Sequence, residues 1–510
     1  MVSFVWTTRR ALPWVALFAA CGPTPAATTS TGDDPTTGPS DTTAAASSET
    51  DAPPTTSDAT GTSEATGTSA AEPTTGDPPA DCLEGDFDIN EHDTEAKIAA
   101  LAGVECITGY LAFLNVDRPD LAGLESLRQI GGELNISQSE FVSLAGLENL
   151  ERVGMLTIAS GSSLTDIGAL ANLQEITSGG LGVSAPITSL PFHNLTHIPG
   201  DVLISSTDLP SLAGLDALES VAGVFKISFN DALTSLAALA NLTSVGGDLE
   251  IANNDALADL AGFESLTTVE GALEIAGNIS LVTAAGFHAL ESAASVTVEF
   301  NNALVELTGF DALVAFDKLK IYSNPALTEV AGFGAFTSGS GFIEITNNEA
   351  LTTISGFSAM TQIRRIDLSA VPALTSLVGL GQLATVEEQL LLSGLALVDL
   401  SHLGSLTSAS LYISGNPVLE SLAGLENLVI APELTVQFNP ALTSVAALQL
   451  GAGGSLTTAE ALTIVSNEAL PTCDAVAVPA AMTELPPIVC IFGNLVDACD
   501  DDDDTCGIMP

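Results

Sequence analysis

Cations are scarce in this 510-residue chain. Eleven Lys and Arg stand against 63 Asp and Glu, for a formal charge of -52, and none follows Arg365. Phosphate backbones are held by clustered cations, so nucleic acid is a poor partner, and anionic lipid surfaces are disfavoured for the same reason. The surplus of acid keeps a chain soluble and leaves a basic ligand as the partner that charge favours. Aromatics are scarce as well. Both Trp residues, Trp6 and Trp14, fall in the first 14 positions, and the Tyr residues are Tyr110, Tyr322 and Tyr412. That shortage weakens any surface built for stacking sugars. Residues 22–81 lack Val, Ile, Leu, Met, Phe, Trp and Tyr altogether. Such a segment cannot bury enough apolar surface to offset its ordering entropy. It is expected to be a disordered Thr/Ser/Pro/Ala-rich linker (21–81) spanning roughly 40–45 Å.

What precedes the linker has the order of an export signal. Arg9 and Arg10 give a positive start, and Ala11 to Ala20 form an apolar stretch too short to cross a membrane as a helix. The closing "LFAAC" resembles a bacterial lipobox, with Ala19 and Ala20 before Cys21 and Phe18 where Leu is usual. The resemblance implies a signal peptide over 1–20, lipidation of Cys21, and export. Gly22 is not Asp, so the usual inner-membrane retention signal is missing. Attachment to the outer membrane, on the cell surface, is the expectation. The alternative is a plain secretory signal followed by an unmodified Cys.

The middle of the chain repeats. "LTSVGGDLEIANNDALADLAGF" at 242–263 is followed by "LTTVEGALEIAGNISLVTAAGF" at 266–287. One column holds Leu212, Leu236, Leu260, Ala284, Leu307, Val330, Ile354 and Leu377, at spacings of 23 or 24. A unit of this size cannot bury its own apolar side, and stacking buries a continuous core. "L-x-I", as at Leu249/Ile251 and Leu273/Ile275, reads as a strand with two side chains in and one out. Leucines three apart, as at Leu212, Leu215 and Leu218, suit a tight turn or 3₁₀ segment. Phe263, Phe287, Phe310, Phe333 and Phe357 fill one corner in successive turns. An Asn follows the strand at Asn230, Asn254, Asn278, Asn301, Asn324 and Asn348, and returns at Asn416, Asn439 and Asn467. Inward amides would satisfy backbone groups where the coil bends, so losing one should cost about 1–3 kcal/mol. Val371 and Leu395 interrupt the column, and turns near 177–212 and 386–400 are irregular. About fifteen turns over 107–470 would form a mainly β, parallel β-solenoid roughly 70 Å long.

"LEIANN" at 249–254 fits the L-x-L-x-x-N core of leucine-rich repeats, and "IGGELNI" at 130–136 with "LAGLENL" at 144–150 resembles the receptor L-domain. That resemblance implies a right-handed, leucine-rich-repeat-like β-helix of the kind found in receptor ectodomains and cell-wall proteins. It is specific for fold, because such domains bind very different ligands.

Cysteine is absent from the repeats. Setting Cys21 aside, Cys82 and Cys106 precede them and Cys473, Cys490, Cys499 and Cys506 follow. Solenoid ends expose core, so 82–106 and 471–510 read as caps held by disulfides. Six Cys allow 15 pairings. The favoured set is Cys82–Cys106, Cys473–Cys490 and Cys499–Cys506. Metal-ligand spacing is missing from these Cys. Asp500, Asp501, Asp502, Asp503 and Asp504 form an acidic loop that reads first as a solvated charge run and only second as a Ca²⁺ candidate, so no metal is expected.

Chemistry has no evident seat. His92, His193, His197, His288 and His402 are scattered, and no H-E-x-x-H, G-x-S-x-G or phosphate loop occurs. No cofactor and no enzyme activity are expected. The outward strand residues give the ligand-face candidates Glu250, Glu274, Lys320, Glu344, Asp367 and Tyr412. Glu250 beside Glu274, and Glu344 beside Asp367, would suit a basic ligand. The expectation is a recognition or adhesion lipoprotein binding a protein or glycan at the cell envelope. A structural spacer is the alternative, and a polysaccharide-active β-helix enzyme comes third.

Overall fold

The computed structural model describes residues 82–159, 161 and 163–497, with the backbone of 507–508. The chain divides into two units, Met1–Asp77 and Pro78–Pro510, and the described residues belong to the second. The expectations for Cys21, the linker, Cys499, Cys506 and Asp500 to Asp504 lie outside the described residues.

Short strands stack in parallel, one per turn, from Phe87–Asn90 to Ile488–Phe492, and make a β-solenoid of about 18 rungs. Each "L-x-I" pairs with its copy in the next turn: Leu249 with Leu273, Glu250 with Glu274, Ile251 with Ile275. The register keeps Leu and Ile inside, fully buried, and the middle residue outside. The array is longer than the fifteen turns expected from the repeat. Both segments read as caps contribute a strand of their own, Phe87–Asn90 and Ile488–Phe492. The irregular stretch near 177–212 holds two strands, Leu181–Val183 and Val202–Ser205, in ordinary register. Its turns differ in sequence, but the buried column Leu181, Val202, Phe225 is continuous. At 4.8 Å per step the rungs extend about 80 Å.

Five rungs turn through a 3₁₀ segment: Gly168–Asn172, Ala237–Leu239, Val378–Leu380, Ser401–Leu403 and Ala446–Leu448. In most of the other rungs a Gly stands at the corner. Gly262 has φ of 129°, and a Cβ added there would lie 2.1 Å from the Leu236 carbonyl oxygen of the rung before. Backbone meets backbone at this corner, so only Gly fits. The corner phenylalanines stack face to face with centroids 5.1, 5.5, 5.3 and 4.9 Å apart from Phe263 to Phe357.

The ends are closed differently. A helix, Thr94–Leu101, buries Ile98 and Leu101 at the first rung. At the last, the helix Thr472–Ala481 buries Ala475 and Val478, and Gly507–Ile508 pairs antiparallel with the strand Ile488–Phe492. Covering an edge strand in this way blocks further pairing. Among the described residues one disulfide has both its ends placed, Cys82–Cys106. Cys473 and Cys490 are also disulfide-bonded, but the expected pairing of these two with each other is not found. No described helix is long and apolar enough to cross a membrane.

Candidate functional site: the sheet face and its Asn corner

The Asn column forms a hydrogen-bonded ladder in the interior. Asn278 is fully buried. Its Oδ1 accepts from the Asn254 N–H (3.0 Å), and its Nδ2 donates to the Ile251 carbonyl (2.8 Å). Its own N–H donates to Asn301 Oδ1 at 3.0 Å. The same pattern runs through Asn230, Asn254, Asn301, Asn324 and Asn348. It stops at Val371 and resumes where the Leu395 N–H donates to Asn416 Oδ1, continuing through Asn439 and Asn467. Thr207 begins the first run, donating to Asn230, and Asn494 ends the second, accepting from the Asn467 N–H. The sequence reading missed both. Thr207 lies 23 residues before Asn230, which the repeat spacing could have flagged, but Asn494 lies 27 after Asn467 and falls off the period.

The residue before each ladder position turns the corner in the left-handed conformation. Asn253, Gly277, Phe300, Ser323, Asn347 and Ala370 all have φ between 53° and 67°. Left-handed backbone costs a non-Gly residue about 1–2 kcal/mol, least for Asn. The turn is kept where Val371 replaces the Asn, at Ala370, and the cost recurs wherever this corner residue is not Gly.

On the outward face the register does place Glu250 beside Glu274, and Glu344 beside Asp367. Cations from neighbouring rungs nevertheless engage one member of each like-charge pair, Glu250 and Glu344. Lys226 lies 2.6 Å from Glu250, Lys320 2.6 Å from Glu299, and Lys318 3.1 Å from Glu344. Arg365 stands 3.8 Å from Asp367 Oδ2, while Asp367 Oδ1 is buried with no hydrogen-bond partner. Lys320 also sits 4.8 Å over the Tyr322 ring. Its hydrogen bond to Glu299 raises its pKa. Tyr412 lies apart from this strip, because Leu391 separates it from Asp367 in the register. Its hydroxyl accepts from Gln437 Nε2 at 2.6 Å.

Glu274 sits between Glu250 and Glu299, while Lys226 and Lys320 are committed to those neighbours. Burial, then the charges of Glu250 and Glu299, hold its carboxyl above the ordinary glutamate pKa. A carboxyl with a raised folded-state pKa takes up its proton more readily when folded. Its ionisation therefore opposes folding, and the penalty disappears as pH falls through the raised value. Glu274→Gln should raise the melting temperature at pH 7, with the gain shrinking to nothing well below the ordinary glutamate pKa of about 4.3. Melts at pH 7 and pH 3.5 check this, and an equal gain at both would remove the ionisation argument.

Of the 11 Lys and Arg, Arg9 and Arg10 fall outside the described residues, and each of the other nine lies within ion-pair distance of a carboxylate. Two of the depressions on the described surface bear on the first cap and on the corner. One, of about 800 Å³, lies against the Cys82–Cys106 bridge. Its arginines are engaged locally, Arg128 with Glu151 (2.7 Å) and Arg152 with Glu175 (3.2 Å). The other, of about 710 Å³, follows the left-handed corner from Phe300 to Gly394. Among the described residues no three His, Cys, Asp or Glu group as metal ligands. His193 and His288 face Asp216 and Asp311 singly, at 3.8 and 3.3 Å.

No family model and no curated protein matches the chain. Solved structures with a similar course include an internalin (inlF) from Listeria monocytogenes str. 4b F2365, at 19% identity, covering 59% of this chain and 86% of that one with a TM-score of 0.32. The circular LRR protein CroV588 is 13% identical over 73% of this chain and 68% of its own, with a TM-score of 0.19. TLR13, in a TLR13-ssRNA13 complex, is 13% identical over 78% of this chain and 82% of its own, with a TM-score of 0.17. These superpositions are loose. The assignment of this chain as a parallel β-solenoid rests on its own strand register, rung upon rung from Phe87 to Phe492.

Proposed function

We propose that the chain is an exported envelope protein, lipid-anchored through Cys21, whose solenoid recognises another macromolecule without transforming it. The observation that carries this reading is the continuous outward sheet face. Its charged side chains are fixed by pairing across rungs, as Lys226–Glu250 and Lys320–Glu299 are. Rigid, pre-placed side chains lose little entropy on binding. Export is supported by the Cys82–Cys106 bridge, a bond kept in oxidising compartments. The linker would set the solenoid roughly 40–45 Å from the membrane.

Protease shaving of intact cells tests the placement. The native chain should lose its solenoid from whole cells, and Cys21→Ala should appear in the medium. Protection until the outer membrane is broken would overturn surface display and move the recognition role to the periplasm.

A further inference from the structure

Three left-handed corner positions hold phenylalanine. Phe229, Phe300 and Phe438 are 55%, 49% and 56% exposed, at φ of 57°, 58° and 55°. The fold does not require a ring there, because Asn253, Ser323 and Ser466 make the same turn at φ of 53° to 55°. A large apolar side chain held in water on strained backbone adds nothing to the core, and such outliers collect where a protein meets its partner.

The corner groove begins at one of these rings. It runs from Phe300 to Gly394, with Pro325, Glu349 and Pro372 in its wall. Phe300 is braced edge-on against Tyr322, with centroids 5.4 Å apart. The four rung steps from Phe300 to Gly394 measure about 19 Å, the length of roughly six extended residues. The wall thus offers an aromatic ring, two prolines and a carboxylate to something long and narrow. Charge selects its sign: the cations of the described face are already paired, while the chain carries 63 acids.

We propose that this groove docks an extended polypeptide segment of a partner in which cationic and apolar side chains alternate. Successive side chains of an extended strand point to opposite faces, so one set would lie on Phe300 and the prolines while the other meets the Glu349 carboxylate, the one acid of the groove wall. The inference rests on the recognition reading and names its partner class.

Fluorescence anisotropy of the whole purified chain with labelled decapeptides tests it. An alternating Lys-Val decapeptide should bind saturably, more tightly than Lys-Ser and far more tightly than Glu-Val. Phe300→Asn should weaken the Lys-Val complex at least tenfold while leaving the melt unchanged, since Asn253 and Asn347 already occupy this column. Glu349→Gln should weaken it further at low salt and make no difference at high salt. Equal binding by Phe300→Asn would overturn the groove as the docking place. Equal binding of Glu-Val, or tighter binding of a neutral dextran, would overturn the partner class. Either failure leaves the intact-cell shaving result standing, so the two readings fail separately.

Discussion

Phe310→Ala should destabilise the solenoid by about 3–5 kcal/mol, the usual range for removing a buried ring. Phe310 is fully buried and sits at the centre of the stack, 5.5 Å from Phe287 and 5.3 Å from Phe333. The cavity would not close, because the spacing of neighbouring rungs is set by their backbone hydrogen bonds rather than by the ring. Two stacking contacts go as well, each worth about 0.5–1.5 kcal/mol beyond burial. Phe310→Leu should cost much less, since Leu239 and Leu380 fill the same corner column in other rungs. Phe357→Ala, at the end of the stack against Phe333, should fall between. Stability in a repeat array is a sum of rung and neighbour terms, so the Ala variant should also split the urea transition into two steps. Circular dichroism through a urea titration reads both effects. A single transition with an unmoved midpoint would show that the stack is incidental to cohesion.

Much of this fold was legible in the sequence because its physics is periodic. The Leu249/Ile251 alternation, the Phe263–Phe357 corner and the Asn230–Asn348 run of the Asn column recur at 23 or 24 residues, and each occupies the place its period implies. What the period could not show is what breaks it. The outer rungs at Phe87–Asn90 and Ile488–Phe492 were hidden because their sequences diverge toward the caps. The surface was read less well. Residue spacing put Glu250 next to Glu274, but it could not show that Lys226 reaches across to neutralise the former and leaves the latter partly buried. Nor could it mark Phe229, Phe300 and Phe438 as exposed. A phenylalanine in a solenoid reads as core, and only the left-handed backbone turns these three outward.

Asn278→Ala should cost about 2–6 kcal/mol, because it strands two buried groups at about 1–3 kcal/mol each. They are the Asn254 N–H, which loses its acceptor, and the Ile251 carbonyl, which loses its donor. Asn254 and Ile251 are both fully buried, so water cannot replace the amide without opening the corner. Packing alone offers a competing explanation, since alanine is smaller than asparagine. The chain supplies the means to separate them. Val371 and Leu395 occupy ladder positions with apolar side chains and interrupt the hydrogen bonds between Asn348 and Asn416. If polar satisfaction is what the column provides, Val371→Asn should stabilise the protein by about 1 kcal/mol, the net worth of a typical buried hydrogen bond. If packing governs, Val371→Asn should destabilise, because it puts an amide where a well-fitted apolar side chain was. Urea midpoints for the two variants carry opposite signs under the first account and the same sign under the second. A loss in both would assign the column to shape, and the amide ladder would then be a consequence of the fold and not one of its causes.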